Sequence, residues 1–133
     1  MGFLPSERVA MANERILVVE GDVLIRLAIS NHLRKTGFVV IEAASADDAW
    51  AFMSVEGVVD LVFAEIATPG ALDGPALARA VAARFIALPV LLTGDAARGP
   101  PDPWTFIAKP YDFERVATAI SEALGLHKPK DDP

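Results

Sequence analysis

RILVVEGDVLIRLAISNHLRKTG, residues 15–37, holds a complete strand-to-helix unit. Ile16 to Val19 is wholly apolar and rich in β-branched residues, the composition of a strand covered on both faces. Glu20-Gly21-Asp22 then breaks the run. From Val23 to Lys35 apolar residues return with helical period, Ile25, Ala28, Ile29 and Leu33 falling on one side. Thr36-Gly37 follows, where a left-handed helix stop is expected.

The same unit recurs along the chain. Further strands are expected at Val39 to Glu42, Leu61 to Ala64, Pro89 to Leu92 and Trp104 to Ala108. A second helix opens with the capping-box-like Ser45-Ala46-Asp47-Asp48, turns Ala49, Phe52 and Met53 inward, and ends at Gly57. A third has Pro75 in its first turn and Leu77, Ala78, Val81, Ala82 and Phe85 at helical spacing. The last starts from a cap at Asp112 and runs through Phe113, Val116, Ala117, Ile120 and Leu124. Strands alternating with helices predict an α/β domain, with a parallel sheet and crossover helices on both faces. After the fourth strand the pattern fails. Residues 94–103 contain three prolines and two glycines, which will not support more than a turn of helix, so a loop is expected there.

The chain has 133 residues, 53% of them hydrophobic, enough for one compact domain and too few for two. That domain is expected over residues 15–125, with tails at 1–14 and 126–133 and Met11 as an alternative start. The absence of cysteine excludes disulfides and thiolate metal sites. A net charge of −6 with no basic patch argues against a nucleic-acid partner. There is no membrane-length apolar run and no secretory leader pattern, so a cytoplasmic protein is expected.

In an open parallel sheet the working site lies beyond the carboxyl ends of the strands, where strand order reverses. The residues just after the strands are Glu20-Gly21-Asp22, Glu65, Thr93 and Lys109-Pro110. Acids, a hydroxyl and an ammonium converging on one edge point to a site for phosphate, a metal, or both.

Val18-Val19-Glu20, Asp60 to Ile66 ending in Ala64-Glu65-Ile66, Pro69-Gly70 with Asp73-Gly74, Thr93-Gly94 and Lys109-Pro110 stand in the order and context of response-regulator receiver domains. From Arg15 to Gly125 the chain resembles that family. The resemblance implies a flavodoxin-like (CheY-like) fold, five parallel strands in the order 2-1-3-4-5. It also implies a fourth helix shortened or replaced by the proline-rich loop, because little chain separates Thr93 from Lys109. In such receivers an aspartate after strand three accepts a phosphoryl group from a histidine kinase and two acids after strand one help hold Mg²⁺. A Thr or Ser hydroxyl contacts the phosphoryl group, and a lysine neutralises it. Carried over position by position, Glu20 matches the first acid, Thr93 the hydroxyl, Lys109 the lysine and Phe106 the aromatic that changes rotamer between states. A cis Lys109-Pro110 bond is implied as well.

Two positions depart from the pattern. The phosphoacceptor position holds Glu65, and the second acid, a direct metal ligand, is replaced by Gly21. The extra methylene of Glu65 displaces its carboxylate by more than about 1 Å, and misplacement on that scale can cost about 10²-fold in rate. Gly21 offers no side-chain oxygen, so no metal is expected beyond weak Mg²⁺ binding through Glu20 and Glu65. Asp22 adds acid to the pocket but reads first as a helix cap. Glu65 beside Lys109 would either imitate a phosphorylated aspartate in part, or form an ion pair that fixes the domain in one state.

The expected function is therefore a stand-alone atypical receiver. It would be no enzyme and need no cofactor, and it would act by binding a histidine kinase or a downstream target without ordinary phosphorylation. Two rivals stand beside it: a receiver still phosphorylated with Mg²⁺, and an unrelated flavodoxin-like enzyme or ligand-binding domain. His32 and His127 read as solvent-exposed, Asp47, Asp48, Asp131 and Asp132 as caps or solvated charge, and Trp104 as packing over the missing helix. A partner surface is sought at Phe106, Tyr111 and Phe113 with the final helix, and at the proline loop beside them.

Overall fold

The computed structural model describes residues 13–55, 58–98 and 102–126. Five strands, β1 (Arg15–Val19), β2 (Val39–Ala43), β3 (Leu61–Glu65), β4 (Val90–Asp95) and β5 (Thr105–Lys109), form one all-parallel sheet in the order β2-β1-β3-β4-β5. The helices are α1 (Val23–Lys35), α2 (Ala46–Val55), α3 (Gly74–Arg84) and α4 (Phe113–Ala123). This is the flavodoxin-like receiver fold expected from the alternation and the resemblance.

Because side chains alternate along a strand, each apolar run feeds two cores at once. Leu17, Val19, Val62, Ala64 and Leu92 meet Ala49 and Met53 of α2 and Leu77 and Val81 of α3 on one face. Ile16, Val18, Phe63, Leu91 and Ile107 meet Ile29 and Leu33 of α1 and Val116 and Ile120 of α4 on the other. Each fully buried large apolar side chain contributes about 1.5–3 kcal/mol relative to exposure, so the sheet is secured from both sides.

Local chemistry sets the helix ends. Asp22 caps α1, its Oδ1 accepting from the N–H groups of Leu24 (2.9 Å) and Ile25 (3.1 Å), as the sequence indicated. Gly37, at φ +110°, takes the turn that stops α1. Asp112 caps α4 by accepting from Glu114 N, and Asp73 caps α3 by accepting from Ala76 N.

Several expectations shift. β4 runs on to Asp95 and is followed by a 3-10 turn at Ala96–Arg98, so the expected loop begins with ordered backbone. β5 starts at Thr105, and Trp104 packs beside the α2/α3 core just before it. Ala82 faces solvent, and Phe85 is extended rather than helical while still packing against the core. Asp47 is neither a cap nor solvated charge: its carboxylate accepts from the N–H groups of Ala71 and Leu72, tying α2 to the loop after β3, while the Ser45 hydroxyl caps the helix by accepting from Asp48 N. His32 is not solvent-exposed. Its ring lies 5.7 Å from that of Phe113 and its Nε2 is 3.4 Å from Glu114 Oε2, because α1 and α4 pack side by side. Gly57, His127, Met11, Asp131, Asp132 and the terminal tails up to residue 12 and from 127 on lie outside the described residues.

Candidate functional site

The carboxyl ends of β1, β3 and β5 converge on three charged side chains. Glu20 continues the β1 ladder, its N–H bonded to Ala43 O, and it is buried to 3% exposure. Its Oε2 accepts from the N–H of Asp22 at 2.9 Å, and its carbonyl accepts from the Arg26 guanidinium at 2.8 Å. Glu65 is the last residue of β3 and Lys109 the last of β5. The Lys109 ammonium lies 2.7 Å from Glu20 Oε1 and 3.2 Å from Glu65 Oε2, bridging the two acids.

Backbone packing holds Glu65 from behind. A side chain on Gly74 would bring its Cβ to 2.4 Å from Glu65 O and 2.7 Å from Ile66 Cα, so the start of α3 can seat against the end of β3 only as glycine. The N–H of Gly74 donates to Ile66 O, and that of Ile66 to Thr93 O, completing the anchor.

The electrostatics follow from this crowding. Burial raises the Glu65 pKa above its ordinary value, and the hydrogen bond and charge of Glu20 add to the rise against the opposing pull of Lys109. For Lys109, burial pushes the pKa down, but the two carboxylates outweigh it and the net direction is up. Tyr111 stands edge-on to Phe63 at 5.7 Å, and burial, then the charges of Glu20 and Glu65, lift its phenol well above the usual range.

The other expected residues are placed differently. The Thr93 hydroxyl is buried and donates to Ile107 O at 2.6 Å, within the sheet rather than toward the carboxylates. The Asp22 carboxylate is taken up by its cap, leaving Glu20 as the acid from this loop that touches Lys109. Phe106 is half-buried beside the α2/α3 core. Pro110 follows a cis peptide bond, as the resemblance implied.

This donor set does not fit Mg²⁺. Of the Glu20 oxygens, one faces a backbone N–H and the other an ammonium; Gly21 has no donor; and among the described residues no group of three His, Cys, Asp or Glu could hold a metal. A Cβ on Gly21 would meet Ala44 O at 3.6 Å, an ordinary contact, so an acid would fit there sterically.

Sequence reading gave no site role to Asp95 or Leu24 and placed Ile25 and Ala28 on the inward side of the first helix; all four line a cleft of about 630 Å³ beside the triad, together with Pro110, Tyr111 and Phe113. The available signal was in α1, where Val23, Leu24 and Leu27 are apolar yet fall off the inward stripe.

Among the described residues, no helix is long and apolar enough to cross a membrane. Residues 16–121 match the response regulator receiver domain family. No curated protein is significantly similar in sequence. Among solved structures, the receiver domain of the hybrid histidine kinase CckA is 29% identical with a TM-score of 0.71, covering 83% of this chain and 98% of that one. A response regulator receiver protein from Sinorhizobium medicae WSM419 is 21% identical with a TM-score of 0.76, covering 84% and 94%. The response regulator TrrA from Thermotoga maritima, solved in complex with Mg²⁺–BeF, is 23% identical with a TM-score of 0.74, covering 84% and 99%. The strand order, the charged cluster at the sheet's carboxyl edge and the match over residues 16–121 lead to one conclusion: the chain belongs to the response regulator receiver domain family, a class of signalling modules of two-component pathways.

Proposed function

We propose that this receiver works without ordinary aspartyl phosphorylation. Its switch is set by the Glu20–Lys109–Glu65 ion-pair triad, and it signals by binding a histidine kinase or a downstream target in the cytoplasm. The observation that carries this reading is the position of Lys109: its ammonium is shared by two carboxylates at 2.7 and 3.2 Å, in the pocket where receivers hold a phosphorylated aspartate. A lysine so paired is not free to neutralise an incoming phosphoryl group. The bond from Thr93 to Ile107 O supports the same reading, because it occupies the hydroxyl that would contact that group. The poor fit to Mg²⁺ removes the other source of positive charge.

Intact mass after incubation with acetyl phosphate and Mg²⁺ tests this, with the Gly21→Asp, Glu65→Asp double variant alongside. The expected result is an unmodified natural protein and a double variant that gains one phosphoryl mass. Modification of the natural protein would overturn the reading. A double variant that also stays unmodified would place the block in the pocket's backbone geometry rather than in these two side chains.

A further inference from the structure

We propose that an apolar patch at the amino edge of the sheet is a docking site for the chain's own N-terminal segment, residues 3–11, which lie outside the described residues. The patch and the charged triad stand at opposite ends of the strands, so neither reading depends on the other.

Three large aliphatics are open at this edge. Ile86 is 96% exposed, Val55 83% and Val58 57%. Val55 ends α2, Val58 lies just ahead of β3, and Ile86 lies in the turn between α3 and β4. Each helix returns the chain from the carboxyl edge to the amino edge, and β3 and β4 are neighbours, so the topology gathers the three at one end of the α2/α3 layer. Half-buried Trp50 and Phe85 meet edge to face in the same layer at 6.2 Å, and the Arg84 guanidinium stands over both rings at 5.8 and 5.5 Å. Aliphatics grouped beside aromatics with a cation at the rim have the composition of a covered surface.

The path of the backbone names the covering chain. Arg15, the first residue of β1, donates from Nε to Val58 O at 2.6 Å and from its N–H to Asp60 Oδ2 at 2.8 Å. The loop carrying Val58 is thereby fastened to the point where the chain enters the sheet. Asn13, at φ +62°, turns the backbone just before that point, in a left-handed conformation that asparagine tolerates. Only β3 separates β1 from β4, so the start of β4 lies two interstrand spacings away, about 10 Å. The stretch from Leu4 to Asn13 spans up to roughly 30 Å, enough to reach across the patch.

The segment also has matching chemistry. Val9 and Met11 leave the entry point beside Val58, and Phe3-Leu4 follows at the distance of Ile86 and Val55, with Ser6-Glu7-Arg8 between the two apolar pairs. Glu7 brings a carboxylate toward Arg84. The other terminal segment does not compete: α4 lies on the opposite face of the sheet, where Leu124 and Leu126 pack, and residues 127–133 hold only His, Lys, Pro and Asp. A tether keeps the segment at about millimolar effective concentration, which favours it over a free second copy at micromolar concentration.

The chain has no cysteine, so Ser6→Cys gives one attachment point for a nitroxide on the ¹⁵N-labelled full chain. The expected result is strong paramagnetic broadening at the amides of Val55, Val58 and Ile86, with Lys109 and Tyr111 spared. Combining Phe3→Ser with Leu4→Ser in the segment should relieve it, as should Ile86→Ser at its exposed position in the patch. Broadening that neither change reduces is that of a loose tether passing the edge, and it would overturn the docking; so would broadening centred elsewhere, or none. A mixture of nitroxide-bearing chain without ¹⁵N and ¹⁵N chain without nitroxide reports contacts between molecules. Broadening of the three amides in that mixture would name a second copy as the occupant and overturn the proposal as well.

Discussion

Lys109 is the counter-charge to a carboxylate that has almost no access to water. Replacing it by methionine leaves Glu20, at 3% exposure, beside Glu65 with no cation between them. Removing one member of a buried ion pair costs about 3–5 kcal/mol, and the partial exposure of Lys109 places Lys109→Met near the lower end. Urea unfolding checks this; a loss under about 1 kcal/mol would mean that the triad contributes little to stability. Glu65 carries the opposite sign. Its carboxyl holds a proton more tightly in the folded than in the unfolded chain, so the native state binds more protons above the ordinary value of 4.5. Stability therefore falls as pH rises from 4.5 toward neutrality, and Glu65→Gln should flatten that slope and raise stability at neutral pH. An unchanged slope would assign the dependence to other groups. The raised pKa of Lys109 acts at the alkaline end: its contribution is complete below 10.5 and is lost as pH climbs through the higher folded value. At this scale the sequence put Glu20, Glu65 and Lys109 at strand ends of one sheet edge, and the structure brings the three side chains together there. The sequence left open whether Glu65 reaches Lys109, because a contact across three strands depends on rotamers and sheet twist that no local pattern encodes.

Among the elements, the junction of β3 and α3 controls where Glu65 sits. Gly74→Ala forces a methyl into the Glu65 carbonyl and Ile66 Cα, so a loss of about 1–3 kcal/mol is expected, the usual cost of overpacking. Thermal unfolding measures it, and a variant as stable as the parent would show that α3 can shift away freely. Element types were legible because period and composition are local properties. Val62, Phe63 and Ala64 read as a strand covered on both faces, and the prolines of residues 100–103 allowed no more than a turn of helix after β4. The ends were less so. β4 extends through Gly94 and Asp95 because β5 pairs with it as far as Asp95 opposite Lys109, and ladder hydrogen bonds outweigh the turn-like composition of that dipeptide. The role of Asp47 was hidden for a related reason. At a helix start an aspartate satisfies a cap from sequence alone, and its bonds to Ala71 and Leu72 exist only once two distant loops meet.

Over the whole molecule, ligand linkage gives a separate check. A receiver with a working divalent site gains stability with Mg²⁺, about 2.7 kcal/mol at a free concentration a hundred times its Kd. This protein should show no rise in Tm with millimolar Mg²⁺, while the Gly21→Asp, Glu65→Asp variant should; a rise in the natural chain would mean that the acids rearrange around the metal. By itself the sequence determined the parallel α/β architecture and the strand nearest each candidate site residue, since periodicity and residue identity suffice for both. Only the tertiary structure decided that Lys109 bridges both glutamates, that Thr93 bonds within the sheet, that His32 packs against Phe113, and that α1 leaves Leu24 at the mouth of a cleft. The physical reason is range: helix and strand patterns repeat over a few residues, whereas these contacts join groups brought together only when the whole sheet is assembled and both its faces are covered.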